Sequence, residues 1–211
     1  MRLKTVCVAL AVPVAAGAVG VYFDGGLAAY GDLITEISYL GYSAKNYEDL
    51  GSSYWVGGGF VVPVWRYAAA VSPYVELATD VGFSTKAKEI EVASETFELS
   101  FKAIPVRENL IFGVTAGPAR PFVGFGAGVA VVPWTVTHVA TGAELDSQTE
   151  VKTSFGIPFG CEFRLAPGFA VGARADYVII TGEATPEIQQ ENFRTFMPNS
   201  FLLTGMARLD F

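Results

Sequence analysis

The chain has 211 residues, 51% of them hydrophobic and 23 of them glycine, with a net charge of −7 and a mean hydropathy of +0.39. An acidic chain is short of the lysine and arginine that phosphate contacts need, which argues against a nucleic-acid partner. Beyond the N-terminus no apolar run reaches the ~18 residues of a transmembrane helix, so the hydrophobicity is not that of a helix bundle.

The chain opens on a basic head, Arg2 and Lys4, followed by a short apolar core from Thr5 to Ala15 and the small triplet Ala16-Gly17-Ala18. This order predicts a secretory signal peptide over residues 1–18, leaving 19–211 as one domain. Cys7 falls inside that signal, so Cys161 stands alone in the mature chain. One cysteine makes neither an internal disulfide nor a metal motif. It alternates with Phe159 and Phe163 and reads as a small hydrophobe. No cofactor is expected.

From there the sequence alternates, the period of a strand. A first strand is predicted over Gly20–Tyr30, with Asp24 opposed to Val21, Phe23, Leu27 and Ala29. A polar stretch follows to Gly51. A second strand spans about Ser53–Arg66, with bulky groups on both faces. A third, about Ser72–Phe83, sets Val75, Leu77, Val81 and Phe83 against Glu76 and Asp80. Residues 84–95 read as a charged loop. A fourth strand, about Thr96–Val114, places Phe97, Leu99, Phe101 and Ala103 on the outer face and Glu98 and Lys102 on the inner one. Pro105 cannot donate to a ladder, and a bulge or kink is expected there.

After a turn at Gly117-Pro118, a fifth strand over Pro121–Trp134 points Val123, Phe125, Ala127, Val129 and Val131 outward and Gly124, Gly126 and Gly128 inward. Residues 135–150 read as a polar loop. A sixth strand, about Val151–Leu165, sets Phe155, Ile157, Phe159 and Phe163 against Lys152, Glu162 and Arg164. Ala166-Pro167-Gly168 makes a turn. A seventh strand, Phe169–Thr181, points Arg174 and Asp176 inward. A last loop runs to Asn199. The final strand alternates Phe201, Leu203, Gly205, Ala207, Leu209 and Phe211 with Leu202, Thr204, Met206, Arg208 and Asp210.

Eight strands joined by alternating long and short connections predict an all-β fold, an eight-stranded antiparallel up-and-down β-barrel. Charges share a face with glycines, and bulky apolar groups take the other. A soluble barrel has the reverse polarity, so the predicted barrel is transmembrane, with outer-membrane lipid around it. Both ends are then expected in the periplasm and four long loops outside the cell.

The ending, with Leu203, Ala207, Leu209 and Phe211 alternating up to a terminal aromatic, resembles the C-terminal sorting signal of outer-membrane proteins. Pro121-Phe122-Val123-Gly124-Phe125-Gly126-Ala127-Gly128 resembles the Pro-aromatic-Val-Gly-x-Gly-x-Gly strand of small barrels of the OmpA/OmpX/opacity-like superfamily. Ile104-Pro105-Val106, ahead of Asn109-Leu110, is similar to the preceding strand of that family. The resemblance implies residence in the outer membrane of a diderm bacterium. It also implies recognition of the last strand by the barrel-assembly machinery. The functional expectation is a small surface barrel for envelope structure, adhesion or surface contact, with any surface partner met at the four loops.

Little chemistry is signalled. His138 is the one histidine, flanked by Thr135, Thr137 and Thr141 with Glu144 nearby. Barrel enzymes that edit lipid A are similar in size, but no His-x-Ser pair occurs here, so the expected reading is non-enzymatic. The alternatives are a narrow channel or hydrophobic-ligand transporter and, behind it, a lipid A-modifying enzyme. The loop acids Asp32, Glu36, Glu48, Asp49, Glu89, Glu91, Glu144 and Glu191 read as a solvated surface rather than a calcium site.

The expected interior charges are Asp24, Glu76, Asp80, Glu98, Lys102, Lys152, Glu162, Arg164, Arg174, Asp176, Arg208 and Asp210. In a bore only wide enough for side chains they are expected to pair and plug it. Gly160 is expected opposite Arg174, leaving room for its guanidinium and setting Glu162 diagonal to it. Arg208 is expected to meet Asp24 across the closing seam.

Overall fold

A computed structural model describes residues 19–39, 42–67, 70–92, 95–184, 187–188, 191–196 and 199–211; at 33–39, 42–46, 48, 92, 183–184, 187–188 and 191–196 it describes the backbone alone. The predicted signal peptide lies outside the described residues. In chain order the strands are β1 (Gly20–Tyr30), β2 (Asp32–Tyr39), β3 (Tyr42–Asp49), β4 (Ser52–Arg66), β5 (Val71–Val92), β6 (Glu95–Ala116), β7 (Ala119–His138), β8 (Ala143–Ala166), β9 (Phe169–Thr181), β10 (Glu183–Ala184), β11 (Glu187–Ile188), β12 (Glu191–Phe196) and β13 (Ser200–Asp210).

Eight of these close a barrel in the order β1-β13-β9-β8-β7-β6-β5-β4, every neighbouring pair antiparallel. The seam joins first strand to last, with Tyr22 opposite Arg208 and Gly25 opposite Gly205. Tight turns link the strands at one end, where Gly117 and Gly168 take positive φ of 58° and 76°. A small second sheet, β10-β12-β2-β3 with β11 beside β12, is built from the two polar stretches after β1 and β9.

The eight predicted barrel strands are present, but all four predicted long loops contain strands: the first and last build the second sheet, and the middle two are mostly extensions of the barrel strands. Residues 84–92 continue β5, residues 135–138 continue β7, and residues 143–150 begin β8. The strands β5 to β8 are 20 to 24 residues long and stand side by side, whereas β1, β4, β9 and β13 have 11 to 15. Charged side chains led the sequence reading to loops because the upper part of this wall faces water, where charge is compatible with a strand.

That wall changes polarity along its height. In the lower part, Val123, Phe125, Ile157, Phe159, Leu203 and Leu209 are exposed outward, while Glu76, Asp80, Glu162, Arg174, Asp176 and Arg208 are buried inward. This is the pattern of a wall in lipid. In the upper part, Phe97, Leu99, Phe101, Ala130, Val132, Trp134 and Val136 point inward and form an apolar core with Trp55, Ile90, Val178, Ile180 and Leu202. Glu98 and Lys102 are exposed there. Their assignment to the bore is therefore corrected: the alternation was right, but the two faces trade roles once the strand leaves the lipid. Replacing Glu98 or Lys102 with alanine should shift stability by no more than about 0.5 kcal/mol, as at ordinary surface sites; denaturant titration of the two variants is the check.

The expected irregularity at Pro105 is also corrected. The β5–β6 and β6–β7 registers are the same on both sides of it, and Pro105 is buried inward. Pro158 likewise leaves the β7–β8 and β8–β9 registers unbroken. The break falls instead at Pro63, where the β4–β5 register shifts between Pro63 and Trp65. There Val61 and Val62 are both buried and Val64, Trp65 and Arg66 are all exposed. This accounts for the bulky groups on both faces of β4.

Candidate functional site

The lower half of the bore is filled by two layers of ion pairs. The layer nearer the tight turns is centred on Glu76 of β5. Arg208 donates to it at 2.8 and 3.0 Å, Arg120 at 2.9 Å and Arg66 at 2.9 Å. Arg120 also donates to Glu162 at 2.9 Å, and Arg208 Nε to Asp210 at 2.7 Å. Three acids thus meet three arginines. The Arg120 guanidinium lies 4.5 Å from the Tyr74 ring centroid, a cation–π contact at a desolvated site.

Above this layer, Tyr22, Val61, Tyr74, Ala78, Ile111 and Met206 pack as an apolar band. The second layer lies beyond it. Arg174 donates to Asp80 through both terminal nitrogens and to Asp176 at 2.9 Å. Arg107 donates to Asp176 at 2.6 Å. Asp24 accepts from Trp55 Nε1 at 3.1 Å and lies 4.0 Å from Arg174. Arg107 is fully buried, and a Cβ on Gly156 would sit 1.7 Å from its Nη1. Gly156 is thus the gap through which Arg107 crosses the bore. The upper apolar core then closes the passage on its far side.

Two expected partnerships are corrected. Arg174 pairs with Asp80 and Asp176, not Glu162, which belongs to Arg120 and Arg208. Gly160 does stand opposite Arg174, but the space it leaves is taken by the Phe122 ring, 2.9 Å from a built Cβ. Arg208 does not reach Asp24, which stands opposite Met206. Long guanidinium side chains span the bore, so strand neighbourhood is a poor guide to partners.

Of the remaining residues assigned to the bore, Lys152 pairs with Glu150 near the upper rim, and Arg164 is exposed beside the β8–β9 turn. Asp210 caps Arg208. Sequence reading missed Arg107 and Arg120. The signal for both was parity: Arg120 alternates with Phe122 and the inward Gly124, and Arg107 with the inward Asn109 and Ile111. The supposed break at Pro105 and the turn before Pro121 concealed it.

The rim carries the histidine. His138 Nδ1 lies 2.8 Å from Thr141 Oγ1, but that hydroxyl also accepts from the Ala143 N–H at 3.3 Å. His138 Nε2 is 3.9 Å from Glu95, beyond hydrogen-bond range. Asp32, Asp49, Glu89, Glu91 and Glu144 are exposed. Among the described residues no three His, Cys, Asp or Glu side chains come together as metal ligands. Leu203, Ala207, Leu209 and Phe211 all face outward.

The sequence matches the family described as outer membrane protein beta-barrel domain over residues 5–197. No curated protein matches it. Among solved structures, the outer membrane protein OprG from Pseudomonas aeruginosa shares 12% identity at a TM-score of 0.52, covering 92% of this chain and 97% of its own. The outer membrane protease OmpT from Escherichia coli shares 5% identity at a TM-score of 0.55, with the same coverages. Neisserial surface protein A shares 16% identity at a TM-score of 0.48, covering 92% of this chain and 99% of its own. At such identities the likeness is one of fold alone.

Proposed function

We propose that this chain, which belongs to the family of outer membrane protein beta-barrel domains and resides in the Gram-negative outer membrane, is a non-enzymatic surface barrel with a closed bore. Its work is done outside the cell, by the tall wall and the strands above β1 and β9, in envelope structure or adhesion to a surface partner. The observation that carries this reading is the filled interior: two cross-linked ion-pair layers with an apolar band between them and an apolar core above. A water-filled pore needs an open, continuously polar lumen; the ion-pair layers fill it with side chains and the apolar layers break its polarity. Among the described residues the rim histidine has no aligned acid of the kind a nucleophile–base–acid relay needs. The outward row Leu203, Ala207, Leu209 and Phe211 is the segment we assign to recognition by the assembly machinery.

Planar-bilayer recording on the purified, folded protein tests the closed bore. The expected result is no stable, large conductance. A steady open level in the unmutated protein would overturn the closed bore and favour the channel reading.

A further inference from the structure

The outer surface of the lipid-facing band carries a group that lipid alone does not require. Down β6 the outward residues run Ile104, Val106, Glu108, Leu110 and Phe112. Glu108 is thus an exposed carboxyl with apolar neighbours above and below it. Ionisable groups at bilayer depth are costly and are rarely found without a partner. Its hydrogen-bond donor among the described residues is the Thr79 hydroxyl on β5, 2.9 and 3.0 Å from its two oxygens. A single hydroxyl leaves most of a carboxylate's roughly four acceptor positions empty.

On the other side of Thr79 the wall is hollowed. Gly58 of β4 presents no side chain outward, and a groove of about 440 Å³ opens over it. Val21 and Phe23 of β1, Phe60 of β4 and Val81 of β5 line it, with Thr79 at its edge. Small-molecule sites run from about 300 to 1,000 Å³ and pair an apolar lining with a few convergent polar groups. The groove supplies the lining with Thr79 in it, and Glu108, outside the lining, stands on the far side of the Thr79 hydroxyl.

We propose that this groove binds one long-chain, lipid-soluble molecule with a hydrogen-bond-donating end group, an alcohol or an amine. The chain lies over Gly58 between Phe23 and Phe60, and the donor reaches the Thr79–Glu108 pair. The unfilled acceptor positions of Glu108 select this occupant. Bulk acyl chains fill the groove but bring no donor to Glu108. A second barrel is a poorer fit, because among the described residues the lipid-facing band presents no cation and two convex walls do not fill a hollow.

Native mass spectrometry of the full barrel released from detergent tests this with two probes, hexadecanol and hexadecyl methyl ether. They share a chain and differ in the donor. The expected result is one hexadecanol per barrel, held at least about tenfold more tightly than the ether. Glu108→Leu should erase that preference. Val81→Trp, which fills the groove from β5, should lose both probes, and Val21→Trp should do the same from β1. The shift in gel mobility on heating confirms that each variant has folded. Equal retention of the two probes by the unmutated barrel would overturn the proposal. So would a preference that survives Glu108→Leu, or undiminished binding in the folded tryptophan variants.

Discussion

Replacing Arg174 with alanine should lower the unfolding free energy of the barrel by about 3–5 kcal/mol, the range for removing one partner of a buried ion pair. Arg174 is only 6% exposed and holds Asp80 through both terminal nitrogens, Asp176 at 2.9 Å and Asp24 at 4.0 Å. Without it three acids face the lone Arg107, which lies 2.6 Å from Asp176 and 3.6 Å from Asp80. The cost comes mainly from carboxylates left in a bore that water does not fill. Removing an acid with the base should therefore recover much of the loss. The double variant Arg174→Ala/Asp80→Ala should be more stable than Arg174→Ala alone, since the two sites interact directly. Urea titration of the protein folded in lipid vesicles, followed by tryptophan fluorescence, measures both quantities. A loss below about 1 kcal/mol for the single variant, a value typical of exposed pairs, would show that the layer is hydrated and the bore is not sealed.

Trp134→Ala should cost a similar amount by a different route. Trp134 is 2% exposed and packs in the upper apolar core. Deleting a buried Trp side chain typically costs about 3–5 kcal/mol through lost transfer energy and the cavity left behind. Trp134→Phe should retain most of that, because it keeps an aromatic ring in the core. The same titration reads the effect. If Trp134→Ala were as mild as a surface change, the upper core would not be a packed interior, and the argument that it closes the bore would fail. The pair of variants thus probes the two plugs separately, one ionic and one apolar.

The architecture was largely legible because alternation is a local property. In β13, Leu202, Thr204, Met206 and Arg208 are buried, and Phe201, Leu203, Ala207 and Leu209 are exposed, as their order in the sequence implies. What alternation does not reveal is which side faces water. Phe97, Leu99 and Phe101 look like lipid-facing residues on any pattern, yet they are interior. Only the height of the strand relative to the lipid decides this, and height depends on strand lengths that charged residues disguised. The ion-pair partners were less legible still. Arg107 to Asp176 and Arg120 to Glu76 link strands that share no ladder. Such partners meet only across a closed bore, so pairing rules for adjacent strands do not reach them. Glu108 was overlooked for a related reason: one acid in an apolar row is weak as a sequence signal and conspicuous only once its outward direction is known.

The unequal wall has a mechanical consequence. From Lys102 to Glu95, β6 continues about 23 Å along its own length beyond the last lipid-facing residues, or about 18 Å in height at a tilt of about 40°. Its neighbours β5 and β7, and β8 beyond β7, rise with it, while β1, β4, β9 and β13 end lower and the chain after β1 and β9 goes into the separate second sheet. A broad object pressing on these strand tips loads one flank of the cylinder, and the barrel receives a torque rather than an even push. The arginines are placed to resist it. Arg107 ties β6 to β9, Arg174 ties β9 to β5, and Arg208 ties β13 to β5, each across the bore. They act as cross-braces, so a load taken on four staves is shared with the staves opposite.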